Sequence, residues 1–358
     1  MTTLGSRQAN VRSSFPIFKH LNADFRVFEA PICDPSSRNV GAKYVFLTLE
    51  KSGFTTFQAL DALAAAVGCK SDDIACAGLK DEDGVTSQVV SLPSSCNLSR
   101  LVEFNAAHGN QEESFLRFER VGFSNEPVRT GGLLGNYFQI TLRNIQPDHW
   151  DRHSLLQRRP YCTFFMINYY DEQRFGVPNG PQTTHLIGGA LLNREFKAAF
   201  DLLHASKSAE AEFAKRWVLE QGYEAFFESL PQRQLAFYKS AYHSSLWNER
   251  LSSALVSESR RNDFSTLPVL SGCVIPKDEG VIANTLSRTP SMEYITYRPD
   301  PVTQNRDTIS QIRLKASAFA PDEIFEGASK QVIEFFLPTG HYATMLLKQI
   351  IARLHEES

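Results

Sequence analysis

Asp81 is the side chain of this 358-residue sequence best placed to do covalent chemistry. It stands in Ala77 to Gln88 (A-G-L-K-D-E-D-G-V-T-S-Q), where Gly78 and Gly84 bracket a polar loop. A loop carboxylate can serve as nucleophile or general base, and the adjacent Lys80 brings a cation to it. Taken alone, the segment reads as an ordinary charged surface turn. Asn168 and Tyr170 form a second group, in Asn168 to Gly176 (N-Y-Y-D-E-Q-R-F-G). A primary amide presents both donors and an acceptor to a planar heterocycle, and an aromatic two residues on can stack against one. On its own this is a polar turn beside core aromatics. Phe25 (in Asp24 to Glu29, D-F-R-V-F-E) and Tyr342 (in Phe335 to Leu347, F-F-L-P-T-G-H-Y-A-T-M-L-L) are further aromatics that core packing would also explain.

The elements needed to hold these groups are legible. Asp24 to Glu29 alternates as a strand, and Lys43 to Leu49 is a buried strand rich in β-branched and aromatic residues. Phe57, Leu60, Ala64 and Val67 recur at helical spacing over Thr56 to Val67, and Gly68 stops that helix. Asp73 to Gly78 is a short link or strand, and Val85 to Ser91 is a strand, so Asp81 falls in a loop between them. Such loops, held by a rigid scaffold, commonly carry chemistry. Gly135 to Arg143 (G-N-Y-F-Q-I-T-L-R) contains a half-buried strand. After Gly176 the pattern turns helical over His185 to Ala205, Ala209 to Gln221 and Pro231 to Leu255. Within the last, Tyr242 to Ser252 (Y-H-S-S-L-W-N-E-R-L-S) places Tyr242, Leu246 and Leu251 in the core. Strands are expected over Leu267 to Val274 and over 331–337, with a polar, turn-rich stretch from Pro299 to Arg306. Leu346, Ile350 and Leu354 mark one face of a closing helix over Tyr342 to Leu354.

Composition narrows the class. With 42% apolar and 22% charged residues the chain is ordinary for a globular protein, and its length suits two domains or one with a large insertion. A net charge of -3 argues against coating nucleic acid by bulk charge, though not against a local basic cleft. Six cysteines without a C-x-x-C pair, and nine scattered histidines, suggest neither a metal site nor a disulfide scaffold. Met1 to Phe15 lacks an apolar stretch of the signal-peptide type, and no apolar run is long enough to span a membrane. These features point to a cytoplasmic protein.

The six segments together resemble the signatures of the TruD family of pseudouridine synthases, in the same order from about residue 22 to 352. Gly78, Lys80, Asp81, Thr86 and Gln88 match G-x-K-D-x-x-A-x-T-x-Q, with Gly84 where the family has Ala. Asn168 to Gly176 is similar to N-Y-F-G-x-Q-R-F-G, with Tyr170 for Phe and Asp171 for Gly, and His341 stands where Ser is usual. The resemblance implies an α+β fold: a catalytic domain over 1–185 and 319–358, with a mixed, largely antiparallel sheet flanked by helices, and an inserted TruD domain over 186–318, short for the family. A cleft between the two would hold the substrate. It implies conversion of uridine to pseudouridine in RNA, tRNA foremost, without cofactor or metal. Asp81 would be catalytic, either attacking C1′ or removing a sugar proton. Phe25, Asn168, Tyr170, Tyr342 and Lys80 would bind substrate, and Glu29, Gln88 and Arg174 would support them. Lys80 would hold Asp81 ionised or touch a phosphate. Asp171 adds negative charge where a polyanion would bind, and His341 is either a tolerated substitution or a catalytic group. Two other outcomes stay open: the same chemistry on a free uridine nucleotide or nucleoside, and a relative that binds RNA without catalysis.

Overall fold

The structure is a computed structural model. It describes residues 16–33, 35, 41–109, 114–146, 161–176, 181–206, 208–217, 220, 222–259, 263–267 and 272–356. The chain forms two compact units, Met1–Thr163 with Arg313–Gly340, and Phe164–Ile312 with His341–Ser358. The segment expected as an insertion, 186–318, falls in the second unit up to Ile312, and that unit also takes in 164–185 and the C-terminal residues from His341 on.

In chain order the elements begin with β1 (Phe25–Pro31), β2 (Tyr44–Ser52), α1 (Thr56–Val67), β3 (Ala75–Cys76), β4 (Val85–Pro93), α2 (Leu101–His108), β5 (Phe115–Ser124), β6 (Leu133–Ile145) and β7 (Tyr161–Ile167). Helices α3 (Thr184–Leu192), α4 (Phe196–His204), α5 (Ala209–Ala214), α6 (Tyr223–Glu228) and α7 (Gln232–Glu258) follow. Then come β8 (Phe264–Thr266), β9 (Val274–Pro276), α8 (Glu279–Arg288), β10 (Ser291–Tyr297), β11 (Pro301–Asp307), β12 (Ile309–Ala316), β13 (Ala320–Pro321), β14 (Ser329–Pro338) and α9 (Ala343–Glu356).

The first unit is built on strands in the order β5-β2-β4-β1-β6-β14, with β3 on β4, β13 on β14 and the end of β12 from Arg313 on beside β14. β1 runs parallel to β4 and antiparallel to β6. β6 with β14, β14 with β12, and β2 with both β4 and β5 are antiparallel. The expected α+β class with a mixed, largely antiparallel sheet is what the chain adopts. Helix α1 lays Leu60, Leu63, Ala64 and Val67 on Leu47, Leu49, Val90 and Leu116 of the sheet. Each fully buried Leu is worth roughly 1.5–3 kcal/mol. Thr55 and Gln58 close a capping box at its start, and Gly68 ends it in the left-handed region at φ 74°.

Two sequence signatures meet in this unit. Arg143 Nε donates to both oxygens of Asp24 (2.9 and 2.8 Å), and Nη1 donates to Asp322 at 3.0 Å. All three side chains are almost wholly buried, so the Asp of one signature and the Arg of another lock β1 to β6. Gly135 is there for close approach: a Cβ would run into the Leu337 carbonyl of β14.

In the second unit α3 packs along α7, and a core of Phe200, Phe226, Phe227 and Tyr238 forms with α4 and α6. β10 and β11 make a hairpin. Several expectations are corrected. Phe57 is 61% exposed, because the inward position of the first turn goes to Thr56, whose hydroxyl serves the neighbouring loop. The helix expected over His185 to Ala205 breaks into two at Arg194, which has φ 60°. Pro299 to Arg306, expected as turns, is mostly strand β11, stabilised by pairing rather than by apolar alternation. Leu251 is buried as expected, whereas Tyr242 and Leu246 are half-buried, and Ser244, Ser245, Trp247, Asn248 and Leu255 join Leu251 on the inward face of α7. Leu346 and Ile350 are buried as expected, whereas the Leu354 side chain, residues 268–271 of the expected strand, and Met1 to Phe15 lie outside the described residues.

Candidate active site

The loop of the first unit is fixed from beneath by a lysine with no sequence signature. Lys51, on β2, is fully buried. Its ammonium donates to the carbonyls of Phe54 (2.8 Å), Lys80 (3.3 Å) and Asp81 (2.7 Å). Burial lowers its pKa to about 8, against the opposing pull of Asp81 and Glu82. Thr56 Oγ1 accepts from the Lys80 N–H at 2.9 Å, and Gln88 Nε2 donates to the Gly78 carbonyl at 3.1 Å. Lys80 meets neither Asp81 nor open solvent. Its Nζ contacts Glu29 Oε1 at 2.5 Å, both side chains being buried, and Glu29 Oε2 accepts from the Val89 N–H. The loop backbone is thereby joined to β1, β2 and β4 around an outward Asp81.

Asp81 itself is half exposed at 55%, with Oδ2 3.0 Å from Lys19 Nζ. Lys19 also lies over the Phe25 ring, 4.2 Å from its centroid. Phe25 is buried edge-on against Phe138, so a ligand would reach its face only after Lys19 moves. Gly84, which stands where the family has Ala, leaves no room for a side chain here: a Cβ would lie 2.8 Å from the Phe25 carbonyl oxygen. Lys19 and Lys51 are the site residues that sequence reasoning missed in this unit. Lys51 carried a weak signal, a charge following the apolar run of β2.

The second unit gathers the other expected residues. Asn168 is buried, and its Nδ2 donates to the Asp307 carbonyl (2.8 Å) and to Ser310 Oγ (2.9 Å). With both N–H groups engaged, the amide orientation is fixed and Oδ1 is left buried without a partner. A buried unpaired acceptor costs about 1–3 kcal/mol and is the kind of atom a ligand donor satisfies. Tyr170 stacks on Tyr294 with centroids 5.5 Å apart and meets Tyr342 edge-on at 5.8 Å. Arg306 lies 4.4 Å from the Tyr170 ring centroid and Arg174 lies 5.8 Å away. Burial pushes the phenol pKa of both Tyr170 and Tyr342 up, which keeps them neutral.

Helix α7 clamps this group. Asn248 accepts from the Tyr170 N–H at 2.8 Å and donates to its carbonyl at 2.9 Å. Trp247 Nε1 donates to the Asn168 carbonyl at 2.9 Å, and Arg174 Nε donates to Ser244 Oγ at 3.1 Å. These three were missed as anything but a helix; an Asn and a Ser on the inward face were the available signal.

Asp171 adds no free charge. Its buried carboxylate accepts from Lys348 Nζ at 2.7 Å and from Thr344 Oγ1. His341 Nε2 lies 2.9 Å from Ser310 Oγ, one step behind Asn168.

A family model described as tRNA pseudouridine synthase D (TruD) matches residues 13–218, more than half of the chain. The chain belongs to the TruD family. It is 25% identical to the tRNA pseudouridine synthase D of Geobacter sp. (strain M21), over 96% of this chain and 98% of that one. With the Geotalea daltonii protein of the same name it shares 30% identity over 54% of this chain and 45% of the relative. A Methanosarcina mazei crystal structure assigned to TruD superposes with a TM-score of 0.61 at 19% identity, covering 94% of this chain and 93% of that one, which shows a shared fold. Membership makes the chain an isomerase of the TruD type. No helix among the described residues is long and apolar enough to cross a membrane. Among them, too, no group of three or more His, Cys, Asp or Glu could hold a metal ion.

Proposed function

We propose that this TruD-type chain converts uridine to pseudouridine in tRNA, with Asp81 acting at the sugar. The observation that carries this reading is the fixed loop: a fully buried ammonium holds the Lys80 and Asp81 carbonyls, while the Asp81 carboxylate reaches outward. That is the arrangement of a positioned reactive group rather than of a surface turn.

The target nucleotide must leave its stack for the sugar and base to be reached. Asp81 then attacks C1′ with departure of N1, or removes a sugar proton so that the base leaves with a glycal behind. The detached uracil turns in place and C5 bonds to C1′, either displacing the Asp81 carboxylate or adding to the glycal as C2′ regains its proton; the C5 proton is lost and N1 takes one up. No atom is gained or lost overall, so the isomerisation balances without an external reagent. Asn168 Oδ1 suits the N3–H donor of uracil, which would satisfy that buried acceptor. Tyr170 and Tyr342 supply faces and edges for stacking. Glu29 and Lys80 act as supports of the loop, since each neutralises the other out of solvent. We take residues 186–318 as the inserted TruD domain.

The test is incubation with unmodified tRNA and, separately, with uridine monophosphate, read by mass spectrometry of the nucleosides. Pseudouridine in the tRNA alone is the expected result. Pseudouridine from the monophosphate alone would transfer the chemistry to a free nucleotide. None in either would leave a relative that binds RNA without catalysis.

A further inference from the structure

The second unit holds a cavity of about 450 Å³ that the reading above does not use. Its size falls in the range of about 300–1,000 Å³ typical of ligand sites. It lies between the start of α7 and the turn of the β10–β11 hairpin, and its lining includes Arg174, Arg233, Arg298, Phe237 and Tyr297, with no carboxylate. None of the three arginines forms an ion pair among the described residues. A cavity nearby on α3, α6 and α7 offers the contrast. It is lined by Glu224 and Glu228 beside Arg194 and Lys239, and its Arg194 is paired with Glu224 at 2.9 Å. Cations without counter-charges, set around two aromatic rings, are the combination that recognises single-stranded nucleic acid: phosphate by arginine, base by ring.

Its place in the unit matters as much. The Arg174 guanidinium lies 5.8 Å from the Tyr170 ring and 5.2 Å from the Phe237 ring. The cavity therefore begins where the Asn168–Tyr170 group ends. Phe237 is 37% exposed, which leaves ring surface open. Tyr297 is held by its backbone N–H on Ser240 Oγ (2.9 Å) and is backed by the stacked His243 ring at 5.8 Å. One ring is thus rigid and the other accessible.

We propose that this cavity receives a nucleotide flanking the target uridine, in single-stranded RNA. Arg233 and Arg298 take its phosphate, and its base stacks on Phe237 or Tyr297. The proposal rests on Asn168 and Tyr170 forming the uridine site, and it adds where the neighbouring nucleotide goes.

Fluorescence anisotropy with a labelled single-stranded RNA carrying the target uridine tests it, with uridine conversion measured in parallel. Phe237→Ala is expected to weaken RNA binding about tenfold through lost stacking, and Phe237→Trp to keep it. The double variant R233Q/R298Q should also bind about tenfold more weakly, with a shallower salt dependence; each lost phosphate contact removes roughly 0.7 from the slope of log affinity against log salt. Conversion at saturating RNA should stay at the wild-type rate in all three, and unchanged melting temperatures would show that they fold. Wild-type affinity and salt slope in both Phe237→Ala and R233Q/R298Q would overturn the proposal while leaving the proposed activity standing. Weakened binding in those variants, from a wild-type protein that converts no uridine, would support the cavity and sink the activity.

Discussion

Each of the two site regions sets an aspartate beside a lysine, and the pairs are built in opposite senses. In the first unit the lysine is the buried partner. Lys51 grips backbone carbonyls and leaves the Asp81 carboxylate half exposed. In the second unit the carboxylate is the buried partner. Asp171 turns inward to Lys348 and Thr344 and fixes the segment that carries Asn168 and Tyr170. The same residue types therefore give an exposed carboxylate, the one proposed to react, in one place and a buried brace in the other. Burial of the carboxylate, not its neighbourhood in sequence, separates the two roles.

The comparison breaks first at the aspartates. Asp81→Asn should reduce pseudouridine formation by about 10⁴-fold, the upper end of what a positioned acid–base side chain contributes, and leave the melting temperature unchanged because the side chain is exposed. Turnover within tenfold of wild type would remove Asp81 from the chemistry. Lys348→Met should do the reverse. It strands a buried carboxylate, at a cost of about 3–5 kcal/mol in urea denaturation. The double variant D171G/K348M should recover most of that loss, since the buried carboxylate is gone and only Glu172, 3.7 Å from Lys348 and partly exposed, loses a cation. A K348M variant as stable as wild type would show that Asp171 needs no cation.

Lys51 is sharpened by pH. Its ammonium titrates at about 8 in the folded chain, against an ordinary 10.5, mainly because it is buried. From pH 8 to 10.5 the unfolded chain holds a proton that the folded chain has lost, so this group makes stability rise with pH across that window. Activity should move the other way. Above about pH 8 the neutral amine has one fewer N–H for the three carbonyls, and the loop loosens. Lys51→Met should abolish the rise in stability, cost about 1–3 kcal/mol through carbonyls left without a donor, and lower turnover roughly 10–100-fold through misplacement of Asp81. Unfolding free energies and rate profiles over pH 6–10 would check both halves. A K51M variant with the wild-type pH profile would take Lys51 out of the account.

The aromatic group predicts smaller losses. Tyr170→Ala and Tyr342→Ala should each weaken substrate binding by ~1–3 kcal/mol, seen in KM or in a direct RNA titration. Unchanged affinity in both would place them in the core only.

How much of this was legible in the sequence follows from the kind of contact involved. Strands β1, β2, β4, β6 and β14 and helix α1 were legible because they alternate or repeat over enough residues to show a period, and Gly68 marks the stop of α1, whereas β5, β7, β10 and β12 were not foreseen. The order of six signatures was enough to bring Asp81, Asn168 and Tyr170 forward. What was not legible depends on side chains that meet across the fold. Lys51 and the Thr56 hydroxyl sit on separate elements and converge on the loop only after the sheet forms. Lys348 lies far along the chain from the Asp171 it neutralises, so the aspartate stood out as an unexplained negative charge. The β11 strand has no apolar alternation, and pairing with β10 alone defines it, so Arg306 over Tyr170 could not be foreseen.

His341 is the finest test of the second region. The Asn168 amide keeps its orientation through two acceptors, the Asp307 carbonyl and Ser310 Oγ, and His341 Nε2 lies 2.9 Å from the second. With Nε2 accepting, the Ser310 hydroxyl donates to the imidazole while its oxygen takes the Asn168 N–H. Ser310→Ala removes one of the two acceptors and should raise KM by about 1 kcal/mol equivalent, leaving kcat nearly unchanged. His341→Ser is too short to hold the hydroxyl but leaves both Asn168 bonds possible, so its effect on KM should stay below about threefold, less than one neutral hydrogen bond. A fall in kcat of a hundredfold for His341→Ser, with KM intact, would mean that the imidazole handles a proton in the reaction. It would also mean that the second region, proposed only to read the base, shares in the chemistry proposed for Asp81.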